Sequence, residues 1–313
     1  MPHQPIGSRR RAVHGRPRSI AGVLFLMVAL AAGGAAATVG EGTPYAIDTA
    51  DGVRTALLYP AGAGPRPTVI VLHGGMGTGA RIAASSGFAE AAAAAGFTAV
   101  FPDGLDRRWN DGRVGWRNGE GPDDVAFLST LADALVADGI ALPDRIYLAG
   151  ISNGGMMSFT MACLASERFA GIGTVIANLP AGIGPCAPAA VPLVMVNGTD
   201  DPLVPYGGGG VGIFGRRGEV LGVEQTAGLF AVAFGCGGPT AAELADRDPG
   251  DGTTVTRIDW QGCLPGAGVT LYRVNGGGHT VPGWSVRARR LFGASNRDFS
   301  AAQAILAIFA TSR

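Results

Sequence analysis

A serine set between glycines stands near the middle of the chain, in the motif GISNG at positions 150–154. The apolar run before it, residues 145–149, predicts a strand, and residues 154–165 predict a helix. G-x-S-x-G between a strand and a helix is typical of a strained turn that exposes a nucleophilic serine, because only small flanking residues avoid a clash there. The motif therefore predicts that Ser152 is a nucleophile. The alternative is a glycine-rich turn whose serine caps the helix.

A serine hydroxyl needs a neighbouring base to remove its proton before it attacks. After residue 37 the chain offers two histidines, His73 and His279, and each follows a predicted strand. In folds with this serine motif the order along the chain is nucleophile, acid, histidine. His279 is therefore predicted as the base, whereas His73 precedes Ser152 and is expected to brace its own loop.

The acid that orients the base is expected in the loop after the predicted strand 192–196. That loop has the sequence NGTDDP at positions 197–202, so Asp200 and Asp201 both qualify. A buried carboxylate there would hold the imidazole in the correct tautomer and stabilise its charged form. The residues alone leave these two open. Further aspartates lie in a polar stretch that we expect to be solvated: Asp246, Asp248, Asp251 and Asp259.

The turn after the predicted strand 68–72 is rich in glycine and can direct backbone N–H groups at a developing oxyanion. We predict the N–H of Gly75 as the first donor, with Met76 as the alternative, and the N–H of Asn153 as the second. Two tryptophans, Trp116 and Trp284, are candidates for contact with an aromatic or apolar acyl group. Core packing is the alternative for each of them.

The elements that must position these residues alternate along the chain. Predicted strands cover residues 53–59, 68–72, 97–101, 145–149, 171–177, 192–196, 253–259 and 269–274. Predicted helices cover residues 81–95, 123–138, 154–165, 219–234 and 298–310. This alternation predicts an α/β fold with a mainly parallel, twisted sheet and helices on both faces. No interdomain linker is evident, so residues 38–313 are predicted to form one domain.

The first 37 residues have the pattern of a cleaved signal peptide. Five arginines precede an apolar run of 13 residues, and small residues follow at positions 35–37. The run is shorter than the roughly 20 residues that span a bilayer. We therefore expect a secreted or periplasmic protein with no stable membrane anchor after cleavage; an uncleaved anchor is the alternative.

Composition narrows the chemistry further. All 24 basic residues are arginines, so lysine-dependent chemistry is excluded. The formal net charge of +0 argues against a nucleic-acid partner. After residue 37 there remain 19 arginines and 24 acids, so the mature protein is mildly acidic.

Four cysteines in an exported chain predict two disulfides, and three pairings are open. The sequential pairing, Cys163–Cys186 with Cys236–Cys263, is the simplest, and four buried thiols are the alternative. We expect no metal site, because there is no C-x-x-C pair and few histidines.

Four segments together resemble one family: LHGG at 72–75, GISNGGMM at 150–157, NGTDDPLVPY at 197–206 and GGGHT at 276–280. They are similar, in matching order, to the secreted polyhydroxybutyrate depolymerase and feruloyl esterase group of the α/β-hydrolases. The resemblance implies an α/β-hydrolase fold without a large cap domain. It also implies Asp201 as the acid, because the family's acid directly precedes the proline of its D-P pair.

The chain departs from the family at three positions. Gly75 stands where the family often has cysteine, Asn197 where it usually has histidine, and Val281 where it has an aromatic residue. These positions concern the acyl pocket rather than the three catalytic side chains. The chain ends soon after its last predicted helix, without the binding module of some polymer-degrading members, so we expect soluble esters or oligomers.

Together these features predict a secreted serine esterase that acts through Ser152, Asp201 and His279 and forms an acyl-enzyme. The expected substrates are small or oligomeric esters, namely short-chain hydroxyalkanoate oligomers or hydroxycinnamoyl and acetyl esters. No metal or organic cofactor is expected. The alternatives are an acyltransferase or a peptidase on the same scaffold, or a non-catalytic exported binding protein.

Overall fold

The structure, a computed structural model, describes residues 40–113, 121–183, 186–284 and 289–312. The predicted signal peptide 1–37 and Trp116 lie outside these ranges. Within them, no helix combines the length and the apolar character needed to cross a bilayer.

Ten strands form one sheet in the order β1-β2-β4-β3-β5-β6-β7-β12-β11-β10, and β8 and β9 form a separate short ladder. The strands are β1 Thr43–Thr49, β2 Gly52–Tyr59, β3 Arg66–Leu72, β4 Thr98–Pro102, β5 Ala141–Ile151, β6 Ile172–Val175, β7 Pro192–Gly198, β8 Gly209–Gly210, β9 Glu219–Val220, β10 Pro239–Glu243, β11 Thr254–Trp260 and β12 Gly268–Asn275. The six central strands, from β4 to β12 in this order, pair in parallel. The pairings at the two edges, β1–β2, β2–β4, β12–β11 and β11–β10, are antiparallel.

The central strands are buried on both faces, as a parallel sheet covered by helices on each side requires. Residues 68–72 of β3 and all seven residues of β7 are buried, as expected for strands covered from above and below. Complete burial of each valine, leucine or isoleucine side chain contributes about 1.5–3 kcal/mol. These strands therefore fix the centre of the sheet, where the candidate residues emerge.

Seven helices accompany the sheet in the described ranges: α1 Gly79–Ser85, α2 Phe88–Ala95, α3 Asp124–Ala137, α4 Asn153–Leu164, α5 Val223–Ala233, α6 Arg289–Phe292 and α7 Ala301–Thr311. Side chains of α3, α4 and α5 pack in one hydrophobic core with one face of the sheet. Side chains of α1, α2 and α7 pack in a second core against the other face. The predicted fold class is confirmed, with helices on both faces.

Two predicted helices are wrong in extent. The helix expected over 81–95 is divided into α1 and α2, because Gly87 adopts φ 74° and interrupts the hydrogen-bond ladder. The helix expected over 219–234 begins at Val223. Residues Glu219 and Val220 pair instead with Gly209 and Gly210, which forms the short β8–β9 ladder.

The edge strands β1 and β10 were not expected, and one aspartate expected in solvent is buried. Asp251 is 4% exposed; it accepts hydrogen bonds from the N–H and hydroxyl of Thr253 and from the N–H of Arg297. Its carboxylate therefore joins the segment before β11 to the segment before α7. A buried carboxylate needs such donors to offset its desolvation.

Two disulfides are present, Cys163–Cys186 and Cys236–Cys263, in the sequential pairing. The first ties the end of α4 to the loop before β7. The second ties the segment just after α5 to the turn between β11 and β12. Cross-links of this kind stabilise a fold chiefly by restricting the unfolded chain.

Candidate active site

Three side chains emerge from the carboxyl ends of parallel strands that lie close together in the sheet. Ser152 directly follows β5, Asp201 lies in the loop after β7, and His279 lies in the loop after β12. The carboxyl edge of an open parallel sheet is where such folds place their ligands. The sheet order therefore brings together residues that lie far apart in the sequence.

Ser152 sits in a turn that tolerates little more than glycine around it. Its φ of 55° is in the left-handed region, which is unusual for a residue with a side chain. A Cβ on Gly150 would lie 2.2 Å from the carbonyl oxygen of Gly154, and a Cβ on Gly154 would lie 2.5 Å from that of Leu72. The glycines of the motif are therefore required for β5, β3 and α4 to meet at this point.

The three side chains form a continuous hydrogen-bonded line. Oγ of Ser152 lies 3.0 Å from Nε2 of His279, and Nδ1 of His279 lies 2.7 Å from Oδ2 of Asp201. The carboxylate can only accept, so Nδ1 carries the proton and Nε2 is left to accept from the serine hydroxyl. The side chains of His279 and Asp201 are 10% and 2% exposed, which limits competition from water.

Asp201 rather than Asp200 is placed to orient His279. Its second oxygen, Oδ1, accepts the backbone N–H groups of Leu203 and Val204, each at 2.8 Å. These bonds fix the rotation of the carboxylate. Asp200 is exposed, and its carboxylate accepts from the hydroxyl of Thr199 instead.

The loop that carries His279 is held at both ends by close backbone contacts. The N–H of His279 donates to the carbonyl of Phe292 at 2.6 Å. A Cβ on Gly198, at the end of β7, would lie 2.3 Å from the carbonyl oxygen of Gly277. The glycines at 198 and 277 thus let the loops of the acid and the histidine touch.

Two backbone N–H groups lie beside the serine without an acceptor among the described residues: those of Gly75 and Asn153. The two residues are adjacent, since a Cβ on Gly75 would lie 3.8 Å from Cβ of Asn153. The alternative donor, Met76, is engaged, because its N–H donates to the carbonyl of Arg107 at 2.8 Å. The geometry therefore favours Gly75 over Met76 as an oxyanion donor.

The side chain of Asn153 takes part in a buried network that the sequence analysis missed. Its amide exchanges two hydrogen bonds with the backbone of Trp109 and donates to the carboxylate of Asp111 at 2.7 Å. Asp111 is ion-paired with Arg113 at 2.8 Å, and both side chains are buried. A signal was present in the D-x-R pattern at 111–113, but nothing local linked it to the serine motif.

His73 contacts the backbone through both ring nitrogens. Nε2 accepts the N–H of Gly104 at 3.0 Å, so Nδ1 carries the proton and donates to the carbonyl of Gly74 at 2.8 Å. The ring also lies beside Trp109, with centroids 5.0 Å apart. Burial lowers the pKa of His73 from its ordinary value of 6.5, which favours the neutral ring. This histidine braces the loop that carries Gly75.

The line of three side chains opens into a cleft of about 910 Å³. Its walls are largely apolar, and half-buried Trp284 contributes to them. This volume is in the range of small-molecule sites. The described residues include no group of three or more histidines, cysteines, aspartates or glutamates that could hold a metal ion.

Comparison with known proteins gives relatives of one kind, although no family model matches the chain. The chain is 30% identical over 249 residues to a putative esterase, NocK, of Nocardia uniformis subsp. tsuyamanensis, covering 76% of this chain and 72% of that protein. It is 29% identical over 222 residues to feruloyl esterase B of Piromyces equi, covering 68% of this chain but 39% of that protein.

The fold also has a match among solved structures. An acetyl xylan esterase from Aspergillus awamori superposes with a TM-score of 0.53 and 16% identity, over 80% of this chain and 97% of that one. At that identity the match shows the fold alone. Together with the similarity to NocK over most of both chains, it places this chain in the esterase family of the α/β-hydrolase superfamily, a family of carboxylic ester hydrolases that includes feruloyl esterases.

Proposed function

We propose that Ser152, His279 and Asp201 form the catalytic triad of this esterase. His279 takes the proton of the Ser152 hydroxyl through Nε2 as the serine oxygen attacks the ester carbonyl. Asp201 keeps the imidazole in the required tautomer and stabilises the imidazolium that forms. The observation that carries the proposal is the pair of distances, 3.0 Å from serine to histidine and 2.7 Å from histidine to aspartate.

The negative oxygen of the tetrahedral intermediate is held by the N–H groups of Gly75 and Asn153. Collapse of that intermediate expels the alcohol, which takes its proton from His279, and leaves an acyl group on Ser152. Water, deprotonated by His279, then attacks the acyl-enzyme and releases the acid. Each oxyanion donor is worth about 3 kcal/mol of barrier in enzymes of this type.

The substrates we propose are hydroxyalkanoate oligomers, or hydroxycinnamoyl and acetyl esters. The apolar wall of the cleft, with Trp284 in it, supports an acyl group with apolar or aromatic character. The similarity to feruloyl esterase B supports the hydroxycinnamoyl member of this set, because that relative is named for the feruloyl group.

We also propose that the protein acts outside the cytoplasm. The predicted signal peptide and the two disulfides support this, since disulfides persist in oxidising compartments. Sequencing the N-terminus of protein recovered from the periplasm or culture medium tests it. A first residue near position 38 is expected, and protein with an intact N-terminus recovered from the membrane fraction instead would argue for an uncleaved anchor.

The decisive test of the triad uses p-nitrophenyl acetate and butyrate with the mature protein and its Ser152→Ala variant. We expect turnover by the wild type and only background by the variant, with unchanged far-ultraviolet circular dichroism. A fluorophosphonate probe should label Ser152 in folded protein. Equal turnover by both forms would exclude the assignment, and an unlabelled Ser152 would favour a binding protein.

Amide and alcohol-acceptor substrates, run beside the esters, separate hydrolase from peptidase and acyltransferase.

A further inference from the structure

The charged side chains that line the cleft are predominantly positive. Five arginines line it: Arg81, Arg108, Arg113, Arg216 and Arg217. No aspartate or glutamate of the described ranges lines it. After residue 37 the chain has 19 arginines and 24 acids, so an average stretch of surface would hold more acids than arginines. The positive character is therefore a local property of this cleft.

The arginines of the wall have different surroundings. Arg113 is buried and ion-paired with Asp111, so its charge is largely compensated within the protein. Arg81 and Arg216 are exposed, and neither forms an ion pair with a residue that the structure describes. These two guanidinium groups are therefore the ones best placed to meet a charge on a ligand.

Arg81 and Arg216 come from two separate segments of the wall. Arg81 lies in α1, directly after the loop that carries Gly75. Arg216 lies in the loop between β8 and β9, next to Ile213 and Phe214, whose side chains are 73% and 82% exposed. Both apolar residues line the cleft together with Ser152. A molecule lying across this wall would meet apolar surface and, beside it, positive charge.

We propose that the cleft selects esters that carry a free carboxylate away from the scissile carbonyl, and that Arg81 and Arg216 bind this carboxylate. The inference rests on the proposed function, because it assigns a substrate class to Ser152. A guanidinium group matches a carboxylate in shape and can donate two parallel hydrogen bonds to it. Among the substrates proposed above, this favours oligomers of hydroxy acids, which end in a carboxylate, over uncharged acetyl and hydroxycinnamoyl esters.

Two matched pairs of esters test the proposal. Mono-4-nitrophenyl adipate and 4-nitrophenyl hexanoate have acyl chains of equal length, but only the adipate ends in a carboxylate. The trimer of 3-hydroxybutyrate and its methyl ester place the same difference on the alcohol side of the scissile bond. At low ionic strength we expect kcat/KM to be about fivefold higher for the anionic member of at least one pair. The preference should shrink as salt screens the charges.

Variants at the two arginines link the preference to the named residues. Arg216→Gln and Arg81→Gln should each reduce the ratio of the two kcat/KM values by about twofold, and Arg216→Glu should reduce it further. Arg66→Gln is the matched control, because Arg66 is exposed but lies at the opposite, amino end of β3. That control should leave the ratio unchanged. Thermal midpoints confirm that each variant is folded.

The outcomes separate this inference from the proposed function. If the neutral esters are hydrolysed in a Ser152-dependent manner but neither anionic ester is preferred, the inference is wrong and the proposed function stands. A preference that survives both arginine variants also overturns it. If no ester of either pair is hydrolysed, both proposals fall together.

Discussion

His73 and His279 occupy similar places but have different surroundings. Each follows a strand of the parallel core, and each lines the same cleft. Both ring nitrogens of His73 bond to backbone groups, a carbonyl that has no proton and an amide N–H that is far too weakly acidic to give one up. The nitrogens of His279 lie instead between a hydroxyl and a carboxylate. The contrast teaches that the partners of the two ring nitrogens, and not the position at a strand end, decide whether a histidine can act as a base.

The most sensitive test of this difference is the same substitution, histidine to alanine, made separately at each position. We expect His279→Ala to lower kcat by about 10⁶-fold, because the serine loses its base. The free energy of unfolding should fall by less than in the His73 variant described below, because the cleft lets water reach the carboxylate of Asp201 once the ring is removed. Kinetics with 4-nitrophenyl butyrate and urea denaturation measure the two quantities. A variant that keeps a tenth of the wild-type kcat would show that His279 is not the base.

The carboxylate that distinguishes the two environments offers the next test. Asp201→Asn should lower kcat by about 10⁴-fold, since an amide can stabilise the wrong tautomer of His279. The matched control is Asp200→Asn, at the neighbouring exposed position, which should retain wild-type kcat. Kinetics of the two variants measured side by side check this. If the control were the damaged variant, the acid would have been assigned to the wrong aspartate.

His73→Ala should mainly lower stability, whereas His279→Ala should mainly lower activity. We expect the free energy of unfolding to fall by about 3 kcal/mol, because the N–H of Gly104 and the packing against Trp109 lose their partner. The folded fraction should keep activity within about tenfold of the wild type, which corresponds to an indirect effect on Gly75. Chemical denaturation and activity per folded molecule measure the two effects. An unchanged unfolding free energy would contradict the bracing role.

The smallest expected effect concerns pH. Because burial holds the pKa of folded His73 below its ordinary 6.5, the unfolded chain takes up a proton that the folded chain does not as the pH falls below about 6.5. The free energy of unfolding should therefore decrease on acidification, by at most about 1.4 kcal/mol per pH unit. Urea titrations between about pH 7 and 5.5 measure the slope. His73→Gln should show a flatter slope; an identical slope would assign the effect to other groups.

Residue type and order along the chain predicted Ser152 and His279 as candidates, whereas the choice of Asp201 over Asp200 came from the family resemblance. The centre of the sheet was equally predictable, since strands buried on both faces are continuous apolar runs. The helix break at Gly87 and the pairing of Glu219 with Gly210 could not be predicted in the same way. They lie in alanine-rich and glycine-rich stretches, which show little periodicity. Single-sequence patterns record propensity, and tertiary contacts overrode propensity at these points.

The network around Asn153 was beyond the sequence for a different reason. Asp111 and Trp109 approach Asn153 only because the loop after β4 folds back over α4, and its path depends on contacts between residues more than 40 positions apart in the chain. The burial of Asp251 has the same origin, since its partner Arg297 comes from a distant segment. Polar residues in loops look solvated until the path of the backbone is known.

The sheet order described above also has a consequence for the time course of folding. The hydrogen bond between Ser152 and His279 joins positions 127 residues apart, and that between His279 and Asp201 joins positions 78 residues apart. Contacts of such long range form late, because a large loop must close before they can contribute. A chain emerging from the ribosome or refolding from denaturant therefore acquires its secondary structure well before its chemistry, and regain of turnover should be the last signal to recover.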